Sequence, residues 1–279
     1  MSDASLTIGD LAERTGVGVA TLRAWEARFG FPQPVRLQSG HRRYRERDVA
    51  TVGQVTRARR GGLSLGAAIA MVHDSGDVRP PSVFGAVRQR HRGLTTHVLA
   101  KPAMTAISRA IEDEWMSASG RGLVVGSFQR VEFFRRSGRK WRELARTADH
   151  AIALADFPRR RLRRGQPYEV PLPAEAPLLR EWAVLVDGPH LAAMVAGWER
   201  HGGPASTRAA DRRRRFEAVW TTDPAVVRTG IEAALEQAQR SVGASLDGLA
   251  ESLPPVVDDP AVALERGMAL ANRIVGYLA

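Results

Sequence analysis

The segment Phe29–Pro34 (FGFPQP) constrains the fold of this chain more than any other, because two prolines and Gly30 stop a helix from running through it. The helices before it must be short. Thr7 or Ile8 opens a helix that runs to about Arg14, with Leu6, Ile8 and Leu11 on its apolar face. Gly16 breaks that helix, and a second one, Val19 to about Arg28, begins only a few residues later. Two short helices joined by a tight glycine-containing turn form a helix-turn-helix pattern. The elements after the break are short as well. Val35-Arg36-Leu37 and His41-Arg42-Arg43-Tyr44 flank Gln38-Ser39-Gly40 and read as a small two-stranded wing. A third helix, Asp48 to Arg60, turns Val49, Val52 and Val55 inward. After Gly61-Gly62, Ser64 caps a fourth, Leu65 to His73.

Residues 74–82 (DSGDVRPPS) read as a linker, and the pattern changes beyond it. Ser82 to about Gly93 reads as a helix. Pro102 to Ser117 is a stronger one, with Met104, Ile107, Ile111 and Trp115 on one face. Gly122–Gly126 is a short buried strand, 131–147 an amphipathic helix, and His150–Asp156 another strand. Glu181–Val186 and Leu191–Trp198 form a strand pair around the turn Asp187-Gly188-Pro189-His190. Phe216–Thr221 is a further strand, and Asp223-Pro224 opens a long helix with Val226, Val227, Ile231, Leu235 and Ala238 on one face. Pro254-Pro255 interrupts the chain before a last amphipathic helix, Ala261–Leu278. The expected architecture is multidomain: an all-α winged helix-turn-helix domain over residues 1–73, a linker over 74–82, and an α+β domain over 83–279 without repeated βαβ units, ending in long helices at 224–279.

Charge must be read by position. The formal net charge is +11, but only Lys101 and Lys140 are lysines and only Asn272 is an asparagine, a bias expected of a G+C-rich genome. Where the arginines gather therefore says more than their number. The densest runs, 158–164 (PRRRLRR) and 212–215, read as surface loops or as reach toward DNA or an acidic partner. With no cysteine, disulfides, zinc fingers, Fe–S clusters and thiolate-based sensing are excluded. The N-terminus lacks the pattern of a signal peptide, and no apolar run approaches the roughly 18 residues of a membrane span, so a cytoplasmic protein is expected, nucleoid-associated when on DNA. The seven histidines are scattered without metal-site spacing, and no phosphate-binding loop, HExxH or GxSxG is present. Neither metal nor cofactor nor enzymatic activity is expected.

Ile8-Gly9-Asp10-Leu11-Ala12, Thr15-Gly16-Val17, Thr21-Leu22-Arg23-Ala24-Trp25-Glu26 and Gly40-His41-Arg42-Arg43-Tyr44 occur in order. Residues 6–73 thereby resemble the N-terminal winged helix-turn-helix of the MerR family of bacterial transcription regulators. The resemblance implies binding to double-stranded operator or promoter DNA, with Thr21, Arg23, Trp25 and Tyr44 as contacts. On the second helix, short polar residues suit base edges, and arginine or aromatic donors beside them, including Arg28, suit phosphates. Arg36, Arg42, Arg43 and Tyr44 of the wing are phosphate donors. Trp25 stands where many members carry tyrosine; it can donate its indole N–H to phosphate or serve as core, and Arg28 can be a solvated charge. The long dimerising coiled coil of many members is interrupted by the linker. A homodimer would then be built by helices 224–279, and RNA polymerase is a candidate further partner.

Phe128-Gln129-Arg130, Trp141-Arg142-Glu143-Leu144, Arg180-Glu181-Trp182, Val186-Asp187-Gly188-Pro189, Trp198-Glu199 and Arg215 to Pro224 carry a second resemblance, to the DICT sensory domain. This implies perception of a signal and names no ligand. Trp182, Trp198 and Trp220 lie on expected strands and form a candidate ligand pocket, with Arg130 and Arg142 available to an anionic signal. Three core tryptophans and a solvated arginine face would explain the same residues. The resulting expectation is a sequence-specific transcriptional regulator whose C-terminal domain senses a small-molecule or protein signal and controls promoter binding or distortion. The alternative is a DNA-binding adaptor whose C-terminal domain recruits a protein and binds no small molecule.

Overall fold

The computed structural model describes residues 4–37, 40–60, 63–73, 82–118, 121–174, 176–200, 211–242, 246, 249 and 260–279. The chain forms two compact units, Met1–Gly76 and Asp77–Ala279. The expected linker at 74–82, except for its last residue Ser82, and the Gly61-Gly62 and Pro254-Pro255 breaks lie outside the described residues.

In the first unit, β1 (Ala4–Leu6) leads into α1 (Ile8–Thr15) and α2 (Val19–Phe29), and then come β2 (Val35–Arg36), β3 (Arg42–Arg45), α3 (Glu46–Arg60) and α4 (Leu65–His73). Thr7 opens α1 with a capping box: its hydroxyl accepts from the Asp10 N–H, and the Asp10 carboxylate accepts from the Thr7 N–H at 2.7 Å. Gly16 and Gly30 end α1 and α2 at φ 68° and 65°, where a side chain would be strained. The wing is three-stranded, in the order β1-β3-β2, because Leu6 pairs opposite Tyr44. Ala-Ser-Leu is too short to show a period, which is why the sequence suggested two strands. Leu11, Leu22, Trp25, Phe31, Tyr44, Val52 and Val55 form the core.

The second unit is built on a seven-stranded sheet. Its strands are β4 (His97–Ala100), β5 (Leu123–Gln129), β6 (His150–Ala155), β7 (Tyr168–Pro171), β8 (Glu181–Asp187), β9 (Ala192–Glu199) and β10 (Arg215–Thr221), in the order β4-β10-β9-β8-β5-β6-β7. β5, β6 and β7 run parallel and the other pairs antiparallel. The helices are α5 (Val83–Arg90), α6 (Lys101–Ser117), α7 (Val131–Thr147), α8 (Pro224–Val242) and α9 (Pro260–Leu278). One βαβ crossover, β5–α7–β6, is present, so the sheet is mixed; the sequence showed five of these strands and the β8–β9 pair, but not the rest of the pairing.

Both sheet faces are covered. On one face, Trp141 of α7 lies so close to Gly126 that a Cβ there would sit 2.4 Å from its ring, and Met104 of α6 packs on Gly197. Leu270 and Ile274 of α9 complete this core. On the other face, Gly230 of α8 lies against Leu185 and Met194. α5 sits beside α8 on that face.

Glu181, the first residue of β8, is fully buried and caps α5: its carboxylate accepts from the Phe84 N–H at 2.6 Å and from the Ser82 hydroxyl. Burial pushes its pKa from 4.5 up to about 7, against the pull of these two hydrogen bonds. The folded state thus holds this proton more tightly than the unfolded chain. Its contribution to stability is complete below about pH 4.5 and is lost as pH rises through about 7. Urea denaturation across this window should show a loss on the order of 3 kcal/mol that is absent from Glu181→Gln. Equal slopes in both proteins would assign the dependence to another group.

Candidate functional site

Because α2 buries Leu22 and Trp25, its opposite side is fixed outward. Thr21, Ala24 and Arg28 share one exposed face at i, i+3 and i+7, and Arg23 is exposed beside them. Arg36 and Arg42 of the wing are exposed, and Arg43 is half-buried with its Nη1 donating to the Arg42 carbonyl at 3.1 Å. Residues 14–45 contain seven arginines and one carboxylate, Glu26. That carboxylate joins helix to wing: Oε1 pairs with Arg42 Nε at 2.9 Å, and Oε2 accepts from the Tyr44 hydroxyl at 3.2 Å. Burial first, then the facing Glu26 charge, push the Tyr44 phenol up to about 12, so it stays a donor.

Two expected contact residues are thereby corrected. Trp25 is 5% exposed, stacked on Phe31 at a ring-centre distance of 6.3 Å, with the Arg59 guanidinium 5.9 Å from its ring. Tyr44 is fully buried. A unit this small needs large rings for its core, so both residues support the surface from beneath. Thr21, Arg23, Arg28, Arg36, Arg42 and Arg43 remain on or at the surface. Glu26 was legible as an organising residue from its isolation among arginines.

In the second unit a cavity of about 350 Å³ opens between α6 and α7 above the sheet. Thr105, Ser108, Arg109 and Glu112 line it from α6, and Phe133, Arg136, Ser137 and Lys140 from α7; Phe128, Trp182 and Val184 form the floor. A buried network closes one end. Arg214 Nε and Nη2 donate to the two Glu199 carboxylate oxygens at 2.8 Å each, and Nη2 also donates to the Gln129 amide oxygen. Gln129 Nε2 donates to Glu199 at 3.2 Å. Gln129 adopts φ 65° where the β5–β6 register shifts, a left-handed conformation that this network holds in place. Lys101 and Arg214 both pair with Asp211. On the inner wall, Trp182 Nε1 donates to Ser108 Oγ at 3.0 Å and Trp141 Nε1 donates to Glu112 at 3.0 Å. Burial pushes the Glu112 carboxyl above its usual range, opposed by Lys140 3.1 Å away.

Of the five expected pocket residues, only Trp182 lines this cavity. Trp198 pairs opposite Glu181, whereas Trp182 pairs opposite Gly197, so strand alternation sends the two indoles to opposite sheet faces. The Arg180 guanidinium lies 5.2 Å from the Trp198 ring. Trp220 packs on the α6-side core without lining the cavity, and Arg130 is exposed before α7. Arg142 lines a separate recess of about 190 Å³ with Arg135, Arg159 and Arg161. Arg214, Gln129, Glu199 and the two lysines were missed. The lysines gave a signal: the chain's only two, among 41 basic residues, both line this cavity. Among the described residues, no cluster of three or more His, Asp or Glu could hold a metal ion, and no helix is long and apolar enough to cross a membrane.

Residues 6–74 match the MerR HTH family regulatory protein, and residues 82–200 match DICT, described as a sensory domain in diguanylate cyclases and two-component systems. The chain therefore carries a MerR-type helix-turn-helix and a DICT domain. It is 44% identical over 70 residues to the HTH-type transcriptional repressor CarA of Myxococcus xanthus, and 38% identical over 65 residues to the HTH-type transcriptional repressor CarH of the same organism. These matches cover 24% and 23% of this chain and span 24% and 22% of the two relatives, about a quarter in each case.

The Glu26 junction is testable. Glu26→Ala leaves Arg42 unpaired and the buried Tyr44 hydroxyl without its acceptor, and should cost about 1–3 kcal/mol in urea denaturation. Adding Tyr44→Phe should recover part of that loss, because the stranded hydroxyl is removed. If Glu26→Ala denatures at the wild-type midpoint, the junction does not hold the wing.

Proposed function

We propose that this protein is a sequence-specific DNA-binding transcription regulator whose first unit reads the operator and whose second unit senses a signal. The observation that carries this reading is the donor surface of α2 and the wing. Thr21, Arg23 and Arg28 stand outward beside Arg36, Arg42 and Arg43, and Glu26, the one carboxylate within residues 14–45, is paired with the wing. A helix so equipped suits the major groove, with Thr21 and Arg23 at base edges and the wing arginines on phosphates. The description of both relatives as transcriptional repressors, and of the DICT domain as sensory, supports the same assignment. A signal that binds one geometry of the regulator more tightly than another would shift promoter binding or distortion.

Helix-turn-helix regulators read paired half-sites as dimers, and α9 offers a seam for a second copy. Its inner face packs on α6, where Arg273 Nη2 donates to Glu114 at 3.0 Å and Leu270 and Ile274 are buried. Outward it presents Leu264, Met268, Val275 and Leu278, each more than half exposed, with half-buried Ala271 between them. Their spacing alternates four and three residues, the repeat of a coiled-coil seam. Such a stripe is self-complementary about a two-fold axis.

Two measurements check the assignment. Arg43→Ala should weaken binding to random-sequence duplex and lower the slope of log K against log salt by about 1, whereas Thr21→Ala should leave that slope unchanged and relax base preference on selected DNA. An unaltered slope in Arg43→Ala would remove its phosphate role. By light scattering, the full chain should have the mass of two copies and Val275→Glu the mass of one. A one-copy mass for the unaltered chain would remove the seam, leaving α9 to a different protein.

A further inference from the structure

We propose that the cavity between α6 and α7 binds a small aromatic carboxylate. This deepens the sensing half of the reading above and rests on it. Ser108 Oγ accepts from the Trp182 indole, and its own O–H has no acceptor among the described residues; the Ser137 hydroxyl, facing from α7, likewise has none. Arg109 makes no ion pair among the described residues, and Arg136 is 68% exposed with its nearest carboxylate, Asp211, 3.9 Å away. The lining's one carboxylate, Glu112, is already held by Lys140 and Trp141. Four donors from two helices thus face a space whose one carboxylate is already engaged, and a ligand carboxylate can take hydrogen bonds from both hydroxyls and a guanidinium.

Phe128, Trp182 and Val184 give an apolar bed for a ring, and about 350 Å³ lies at the small end of ligand pockets, suited to one or two rings. Phe133 at the wall is flanked by Lys101, Arg136 and Arg214 at 5.5, 5.5 and 5.2 Å from its centre; Lys101 and Arg214 are paired with Asp211 and Glu199, which leaves Arg136 as the least committed cation of the three. The donors are side chains and not a run of free backbone N–H groups. The Val131 N–H at the start of α7 is taken by Asp156 at 2.6 Å, and the Lys101 N–H at the start of α6 by the Arg214 carbonyl at 3.0 Å. That favours a carboxylate over a phosphate cradled by a helix N-terminus.

The test is calorimetric titration of the full chain with 2-naphthoate and with its neutral isostere 2-naphthamide. Naphthoate should bind saturably at one per chain, and naphthamide about tenfold more weakly. Arg109→Ala with Arg136→Ala alters only exposed side chains and should preserve the melting temperature; it should bring both compounds to the same weak affinity. No saturable naphthoate binding, equal affinity of the two compounds, or an unaffected double variant would each overturn the site. Binding is read without DNA, so the two readings fail separately. Naphthoate that binds as expected but leaves DNA affinity unchanged would uphold the site and count against sensing. Failure to bind, with DNA affinity intact, would overturn the site alone.

Discussion

Glu26 is the one carboxylate among the seven arginines of residues 14–45, and the arrangement of the outward donors of α2 and the wing depends on where it goes. Held between Arg42 and Tyr44, it ties the wing strand to α2 and is itself largely covered. A carboxylate free on the donor surface would repel phosphate; the same carboxylate so paired sets the register of the donors. An ion pair of this kind adds little net stability, since desolvation offsets attraction. Its effect is geometric: it limits how helix and wing can move relative to each other.

The second unit repeats this device with deeper burial. Glu199 holds Arg214 through two hydrogen bonds and, through Gln129, stabilises a left-handed residue at the end of β5. Glu112 of α6 anchors Lys140 and Trp141 on the facing helix α7. In each case an acid is withdrawn into the protein and ties down its nearest cations and indole donors. Arg109 and Arg136 at the cavity, like Arg23 and Arg28 on α2, are left facing outward. Formal net charge alone would not distinguish this from an evenly basic surface. What matters is which acids are buried and which basic side chains they leave unclaimed.

Much of the fold was legible because glycine, proline and capping residues punctuate it sharply. Thr7 with Asp10, Gly16, Gly30 and the prolines at 32 and 34 bound the first unit's helices, and Met104, Ile107, Ile111 and Trp115 declared the buried face of α6. β1, β4 and β7 were not legible, being three or four residues long and too short for alternation to register. The candidate site was read less well, for two physical reasons. Trp25 and Tyr44 have donor tips and apolar bodies, and sequence alone does not say which end decides their place. Trp182 and Trp198 both lie on strands, but the face each occupies depends on position within the strand and pairing across the sheet. The positions of Lys101 and Lys140 were available as a rarity signal that periodicity does not capture.

On the function proposed above, the outward donors of α2 and the wing read a DNA sequence and do not merely adhere to phosphate. Base-sequence readout is tested most directly by selecting bound fragments from random duplex DNA with the full-length protein. The account predicts enrichment of an inverted repeat whose half-sites lie about one helical turn apart, roughly 10 base pairs. Recovery of unselected fragments, with affinity governed by salt alone, would contradict it.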